Sequence, residues 1–189
     1  MAHTLAKERR PDWILWIDGD EIFETATTRK DLETYMHNPN LNEVRFRMFN
    51  FWLSKTHYRI DGRWLTYTAV PQRQMWRNLS SAYFENHIFH NGGITGLLGK
   101  PIVSHIRIKH YGYINKEQIK DKYNNYRKLK SDPRASKTLP IDENTLQLKK
   151  WREYKSPFLN RLWQEKEKWS WYGVNVYLSI ISQFSQTKG

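Results

Sequence analysis

Residues 13–21 read Trp-Ile-Leu-Trp-Ile-Asp-Gly-Asp-Glu, an apolar run that ends in three carboxylates set around one glycine. An apolar run bounded by a polar turn reads as a buried strand. Its carboxylates then emerge at the strand's C-terminal edge, where open α/β sheets place their ligands. Asp18 and Asp20 stand two positions apart, so on extended backbone they share a side, and Gly19 between them lets an ion or substrate approach the main chain. Two convergent hard oxygen donors suit Mg²⁺ or Mn²⁺ carrying a phosphate. The same residues also read as a strand followed by a plain Asp-Gly surface turn. The rest of the chain has to choose between the two.

Composition narrows the setting. At 189 residues the chain has the size of one domain, with or without an appendage, and can bury a real core. It holds no cysteine, so a disulfide framework and a thiolate metal site are excluded, and any metal must rest on carboxylate and imidazole. No stretch approaches the roughly 20 apolar residues of a spanning helix, and residues 1–12 lack the apolar centre of a signal peptide. The expectation is a cytoplasmic protein, soluble or peripheral at the inner face of the membrane. The net charge of +12 points to anionic partners: nucleic acid, phosphorylated small molecules or an acidic membrane surface. Aromatic residues make up 15% of the chain. Interleaved with basic residues, they also suit single-stranded nucleic acid. A non-enzymatic module binding nucleic acid or an anionic surface is therefore the rival to an enzyme, although most of the aromatics fall at strand or helix spacing, where they pack cores.

Outward from the opening segment, Thr28 followed by Asp31 starts a helix. Leu32, Tyr35 and Met36 line one face of it until Asn38-Pro39 ends it. Period-two alternation of Val44, Phe46 and Met48 with Arg45 and Arg47 predicts a half-exposed strand over 43–53. Further strands are expected over 72–78 and 83–90, preceded by a hairpin or loop over the sheet around Asp61-Gly62. Gly92, Gly93, Gly96 and Gly99 space a loop that reads as a lid or as a plain solvent loop. A strand over 102–113 runs into His110-Tyr111-Gly112-Tyr113, and a histidine at a strand end suits a metal or a phosphate as well as a structural hydrogen bond. The next helix, over 115–130, has Asn115 as its cap and Ile119, Tyr123, Tyr126 and Leu129 on one face, with Lys and Arg on the other. A polar linker over 131–142 reads as the main boundary. Beyond it two shorter helices, 143–153 and 157–169, and an apolar tail over 174–184 are expected, the tail packing on the domain or meeting a partner or membrane interface.

In order, these segments are Asp18-Gly19-Asp20-Glu21, Phe49-Asn50-Phe51-Trp52, Pro71-Gln72-Arg73-Gln74-Met75-Trp76-Arg77-Asn78, residues 84–91, and Ile108-Lys109-His110-Tyr111-Gly112-Tyr113 before a Lys/Arg/Tyr helix. The ordered set resembles the bacterial family 2 glycosyltransferases of GT-A fold over roughly residues 8–130. The resemblance implies an α/β protein with an incomplete GT-A-like mixed sheet flanked by helices (1–130), then a linker and helical extension (131–189). It implies transfer of a sugar from a nucleotide-diphosphate sugar to a glycan or lipid-linked acceptor, with Mn²⁺ or Mg²⁺ as cofactor. By the same likeness Asp18 and Asp20 hold the metal on the donor diphosphate, Gly19 and Glu21 complete that acidic cluster, and His110 approaches the metal from the later strand. The base that deprotonates the acceptor is expected at Glu85 or His90, although relatives show His-Glu where this chain has His90-Asn91. Relatives also carry a nucleotide-gripping part ahead of the Asp18 strand. The chain is thus expected to be a fragment, or one half that needs a partner chain, with little activity alone.

Two other metal motifs fit poorly. A phosphatase of the haloacid dehalogenase type wants Thr or Val where Ile22 stands and an Asp-Asp pair downstream. A calcium loop needs D-x-[DN]-x-[DN]-G spacing, which residues 18–21 lack.

Overall fold

The computed structural model describes residues 6, 8–61, 72–84, 94–128 and 146–154. In chain order their elements are β1 (Trp13–Leu15), β2 (Glu21–Phe23), α1 (Arg29–Met36), β3 (Glu43–Trp52), β4 (His57–Arg59), β5 (Gln72–Arg77), β6 (Tyr83–Phe84), β7 (Ile94–Thr95), β8 (Ile102–Tyr113), α2 (Lys116–Lys128) and β9 (Leu148–Lys150). The fold among these residues is mixed α/β, an open seven-stranded sheet with two helices and a separate β6–β7 pair.

Among the described residues the sheet is built on β3 and β8, its two long strands and its parallel pair, matched from Val44↔Ile102 to Trp52↔Tyr113 with two shifts of register between. β8 occupies one edge of β3. The other edge carries β5 along its first half and β4 at Phe51, both antiparallel, which the length of β3 allows. β1 continues the sheet beyond β5, β2 beyond β8 and β9 beyond β4, again antiparallel.

The opening apolar run departs from expectation. β1 ends at Leu15 and forms the outermost strand on its side, with Ile14 buried and Leu15 38% exposed. Its apolar residues divide between two clusters: Ile14 packs with Trp76, Ala82 and Ile94, while Trp13 and Ile17 turn to the main core.

That core lies between the sheet and α1. Val44, Phe46, Met75, Ile106 and Ile108 meet Leu32, Tyr35 and Met36 of the helix, and the buried Ser104 hydroxyl reaches Tyr35 at 3.2 Å. α1 begins as its residues predict, with a reciprocal Thr28–Asp31 capping box. α2 is capped by Asn115, whose Oδ1 accepts the Gln118 N–H at 2.8 Å. Its Ile119 packs on Trp52 and Tyr113, whose rings stack at 4.6 Å. That contact fixes α2 over the C-terminal end of β8 and brings Lys122, one turn further on, over the same strand end.

On the opposite face of the sheet, Phe49, Phe51 and Tyr58 pack with Tyr111 and Trp151. Here the expected helix over 143–153 is corrected. Residues 148–150 form β9, paired with β4 from His57↔Lys150 to Arg59↔Leu148. The aromatic cluster decides the matter, because Trp151 sits 5.2 Å from Phe49 and 5.4 Å from Phe51, contacts that draw the chain out alongside β4. β4 itself was not anticipated. The strands expected over 43–53, 72–78 and 102–113 form within a residue of those bounds, and a helix forms over 29–36. Of the helix expected over 115–130, residues 116–128 are described as helix, and of the strand expected over 83–90 only Tyr83–Phe84 lie among the described residues. The linker over 131–142, the helix over 157–169 and the tail over 174–184 lie outside the described residues. The chain divides into two compact units, Met1–Glu153 and Tyr154–Gly189. No helix among the described residues is long and apolar enough to cross a membrane.

Candidate functional site

Between β1 and β2 the backbone turns, where extended chain was expected: the Glu21 N–H donates to the Asp18 carbonyl at 3.0 Å. The Glu21 side chain folds back beneath this turn. Its carboxylate accepts the Asp18 N–H at 3.1 Å and the Gln74 side-chain amide at 2.6 Å, and it is only 6% exposed. Burial pushes its carboxyl up. Glu21 thus braces the turn from below. The turn also separates the partners of the two aspartates, for Asp18 accepts the Trp16 indole N–H at 3.0 Å while Asp20 faces β8. At Gly19 a side chain would meet nothing within 4 Å, so this side of the turn is open.

Asp20 is anchored to β8 by its main chain, whose carbonyl accepts the Tyr111 N–H at 2.7 Å. One residue past the β2–β8 ladder, this bond sets the Asp20 carboxylate against His110, with Oδ2 3.3 Å from Nε2. Lys122 of α2 closes the group, its ammonium 2.8 Å from the same oxygen and 4.7 Å from the centre of the Tyr113 ring. The hydrogen bond from His110, and then that from Lys122, hold the Asp20 carboxyl well below the usual carboxylate range against the opposing effect of burial. Gly112 makes the convergence fit, since a Cβ there would overlap Lys122 Nζ, Asp20 Oδ2 and His110 Cε1.

Behind His110 stands Asn50, its directly paired neighbour on β3. Asn50 Oδ1 lies 2.7 Å from His110 Nδ1. A carbonyl oxygen only accepts, so Nδ1 carries the proton and Nε2 is the nitrogen turned to Asp20. Asn50 is 3% exposed and its amide nitrogen has no partner, a donor held in reserve beside the cluster.

The structure therefore joins Asp20 with His110 and leaves the Asp18 carboxylate on Trp16. Among the described residues no three His, Asp or Glu side chains converge as a metal-holding group. Glu85 and His90 lie outside the described residues. Three members of the cluster carried no role in the sequence reading. Asn50 had a signal, a lone amide inside the apolar Phe49-Asn50-Phe51-Trp52 run, and Gln74 stands likewise beside Met75 and Trp76. Lys122 had none, being one basic residue among many on its helix.

Comparison with protein-family models, with curated proteins and with solved structures found no match to this chain.

Proposed function

We propose that this chain belongs to a glycosyltransferase of GT-A type that moves a sugar from a nucleotide-diphosphate sugar to a glycan or lipid-linked acceptor. The observation that carries the reading is the meeting of Asp20 with His110, from the two motifs whose order underlies the resemblance, at 3.3 Å beside Lys122.

The donor set suits a divalent cation. With Nδ1 committed to Asn50, Nε2 is the ring nitrogen that faces the Asp20 carboxylate, an imidazole nitrogen and a hard oxygen that a divalent cation can share. Neighbouring ligands on an octahedral ion with bonds of 2.0–2.1 Å stand about 3 Å apart, close to the separation of Oδ2 and Nε2. Asp20 and His110 would hold Mn²⁺ or Mg²⁺, leaving its other positions for water and donor phosphate. Such an ion, when bound, stabilises the charge on the departing nucleoside diphosphate. The protein's part is orientation: Asn50 fixes the imidazole from behind, while Glu21 and Gln74 hold the turn that carries Asp20. Glu85 and His90 remain the candidates for the acceptor's base.

The test is release of nucleoside diphosphate from a panel of nucleotide-diphosphate sugars with Mn²⁺. The wild-type chain should release it with at least one donor, and Asp20→Ala should slow release by roughly 100-fold or more, the scale on which one charge-stabilising group acts. Release at equal rates in both proteins contradicts the proposal, as does failure of Mn²⁺ with a nucleoside diphosphate to raise the melting temperature of the wild-type chain.

A further inference from the structure

We propose that Lys122 is a built-in placeholder for the cation of this site, so that its ammonium and a divalent ion are alternative occupants of Asp20. The inference rests on the metal part of the preceding reading and adds a residue and a form of regulation to it. Lys122 Nζ and His110 Nε2 both address one oxygen, Asp20 Oδ2, at 2.8 and 3.3 Å. A divalent ion bridging that oxygen and Nε2 would stand within a few ångströms of the ammonium, where like charges repel strongly at the low effective dielectric of a partly covered site. The same three side-chain ends crowd the open side of Gly112, where a Cβ would meet Lys122 Nζ first. One occupant must leave when the other arrives.

The surroundings fit a group that leaves. Lys122 is held by its end only, on Asp20 and over the Tyr113 ring, and its side chain is 29% exposed, so the ammonium can swing to water on a flexible stem. Lys109, one residue before His110 and on the opposite face, is by contrast 9% exposed on Glu153. His110 has no such freedom, being pinned at Nδ1 by the buried Asn50. In the metal-free protein Lys122 neutralises Asp20 and preserves the shape of the turn. Metal binding releases a lysine beside the same carboxylate, where the donor's phosphates are expected. Cation affinity is thereby set low in the free protein, and a donor that attracts the released ammonium raises it through linkage.

Calorimetric titration of the full chain with Mn²⁺ alone decides the point, using wild type, Lys122→Met, Lys122→Arg and Asp20→Asn. Lys122→Met keeps the stem and removes the charge. It should bind Mn²⁺ about fivefold more tightly than wild type, the fold-change equivalent to roughly 1 kcal/mol for a partly exposed ion pair. Lys122→Arg, which keeps a cation, should bind as weakly as wild type, and Asp20→Asn should lose the site. Thermal melts of the same proteins check that Lys122→Met is folded, and a Mn²⁺-induced rise in Tm larger than that of wild type is a second readout. Equal or weaker Mn²⁺ binding by Lys122→Met overturns the proposal, as does tighter binding by Lys122→Arg. Absence of Mn²⁺ binding in every protein also overturns it, while donor cleavage that still depends on Asp20 would then leave glycosyl transfer standing without a metal.

Discussion

On one face of β8, Arg107 meets Glu24 with both side chains less than a tenth exposed; on the other, Lys122 meets Asp20 with about a third of each in water. The first pair is saturated. Arg107 gives Nε and Nη2 to one Glu24 oxygen at 2.8 and 2.6 Å, its main-chain N–H to the other, a further bond to the Arg152 carbonyl, and the face of its guanidinium to Trp151 at 4.0 Å. Lys109 and Glu153 extend the same face at 2.7 Å. The second cluster keeps capacity in hand, with an unpartnered Asn50 amide, an imidazole nitrogen against a carboxylate, and a lysine held only by its end. Alternation along one strand puts Arg107 and Lys109 into the closed network and His110, one residue on, into the open cluster. Similar ionic groups thus divide by saturation: the closed network ties 151–153 to the sheet, and the open one is where the proposed ligand would sit.

The largest break in this contrast is Glu24→Ala. It strands a buried guanidinium, and loss of one partner from a buried pair costs about 3–5 kcal/mol. Urea unfolding should show that loss, with Mn²⁺ binding unchanged in the protein that remains folded. A smaller effect is expected of Gly112→Ala, whose Cβ wedges into the open cluster and costs about 1–3 kcal/mol as an overpacked position does. Unlike Glu24→Ala, it should abolish Mn²⁺ binding. Equal metal binding by Gly112→Ala and wild type would refute the convergence of Asp20, His110 and Lys122.

Acid unfolding sharpens the contrast within the site. The Asp20 carboxyl is lowered on folding, so it contributes stability above the unfolded carboxylate range near pH 3.9 and that contribution fades as the pH falls below it. Glu21 is raised, so it has the opposite sign and costs stability as the pH rises through and above its unfolded value near 4.3. Between about pH 5 and pH 2 wild type should lose more stability than Asp20→Asn. Over the same span Glu21→Gln should lose more than wild type. The smallest effect is reserved for Glu33→Ala, which removes an exposed ion pair with Arg29 and should change stability by less than about 0.5 kcal/mol.

Elements set by local chemistry were legible in the residues. Thr28 with Asp31, Asn115 ahead of Gln118, and the alternation around Val44 and Ile106 each encode an element through neighbours close in sequence. What was illegible depends on distant partners. Residues 148–150 become a strand because Trp151 finds Phe49 and Phe51, about a hundred positions earlier. The run at 13–17 was read as a buried strand, but hydrophobicity does not say whether a strand ends a sheet. Asp18-Gly19-Asp20 identified the turn, yet the assignment of both aspartates to one site assumed extended backbone, and the hydrogen bond from Glu21 to Asp18 removes that premise. His110 was legible as a strand-end histidine facing Asp20. The roles of Asn50 and Lys122 follow from cross-strand register and helix docking, which no local pattern reports.

The most direct measurement compares thermal melts of Asp20→Ala and Glu153→Gln with and without Mn²⁺ plus a nucleoside diphosphate. Asp20→Ala should melt below wild type without ligand, having lost its bonds to His110 and Lys122, and show no ligand-induced rise. Glu153→Gln should melt lower and keep the full rise. If both variants retain the rise, or both lose it, the division of β8 into a binding face and a structural face is wrong.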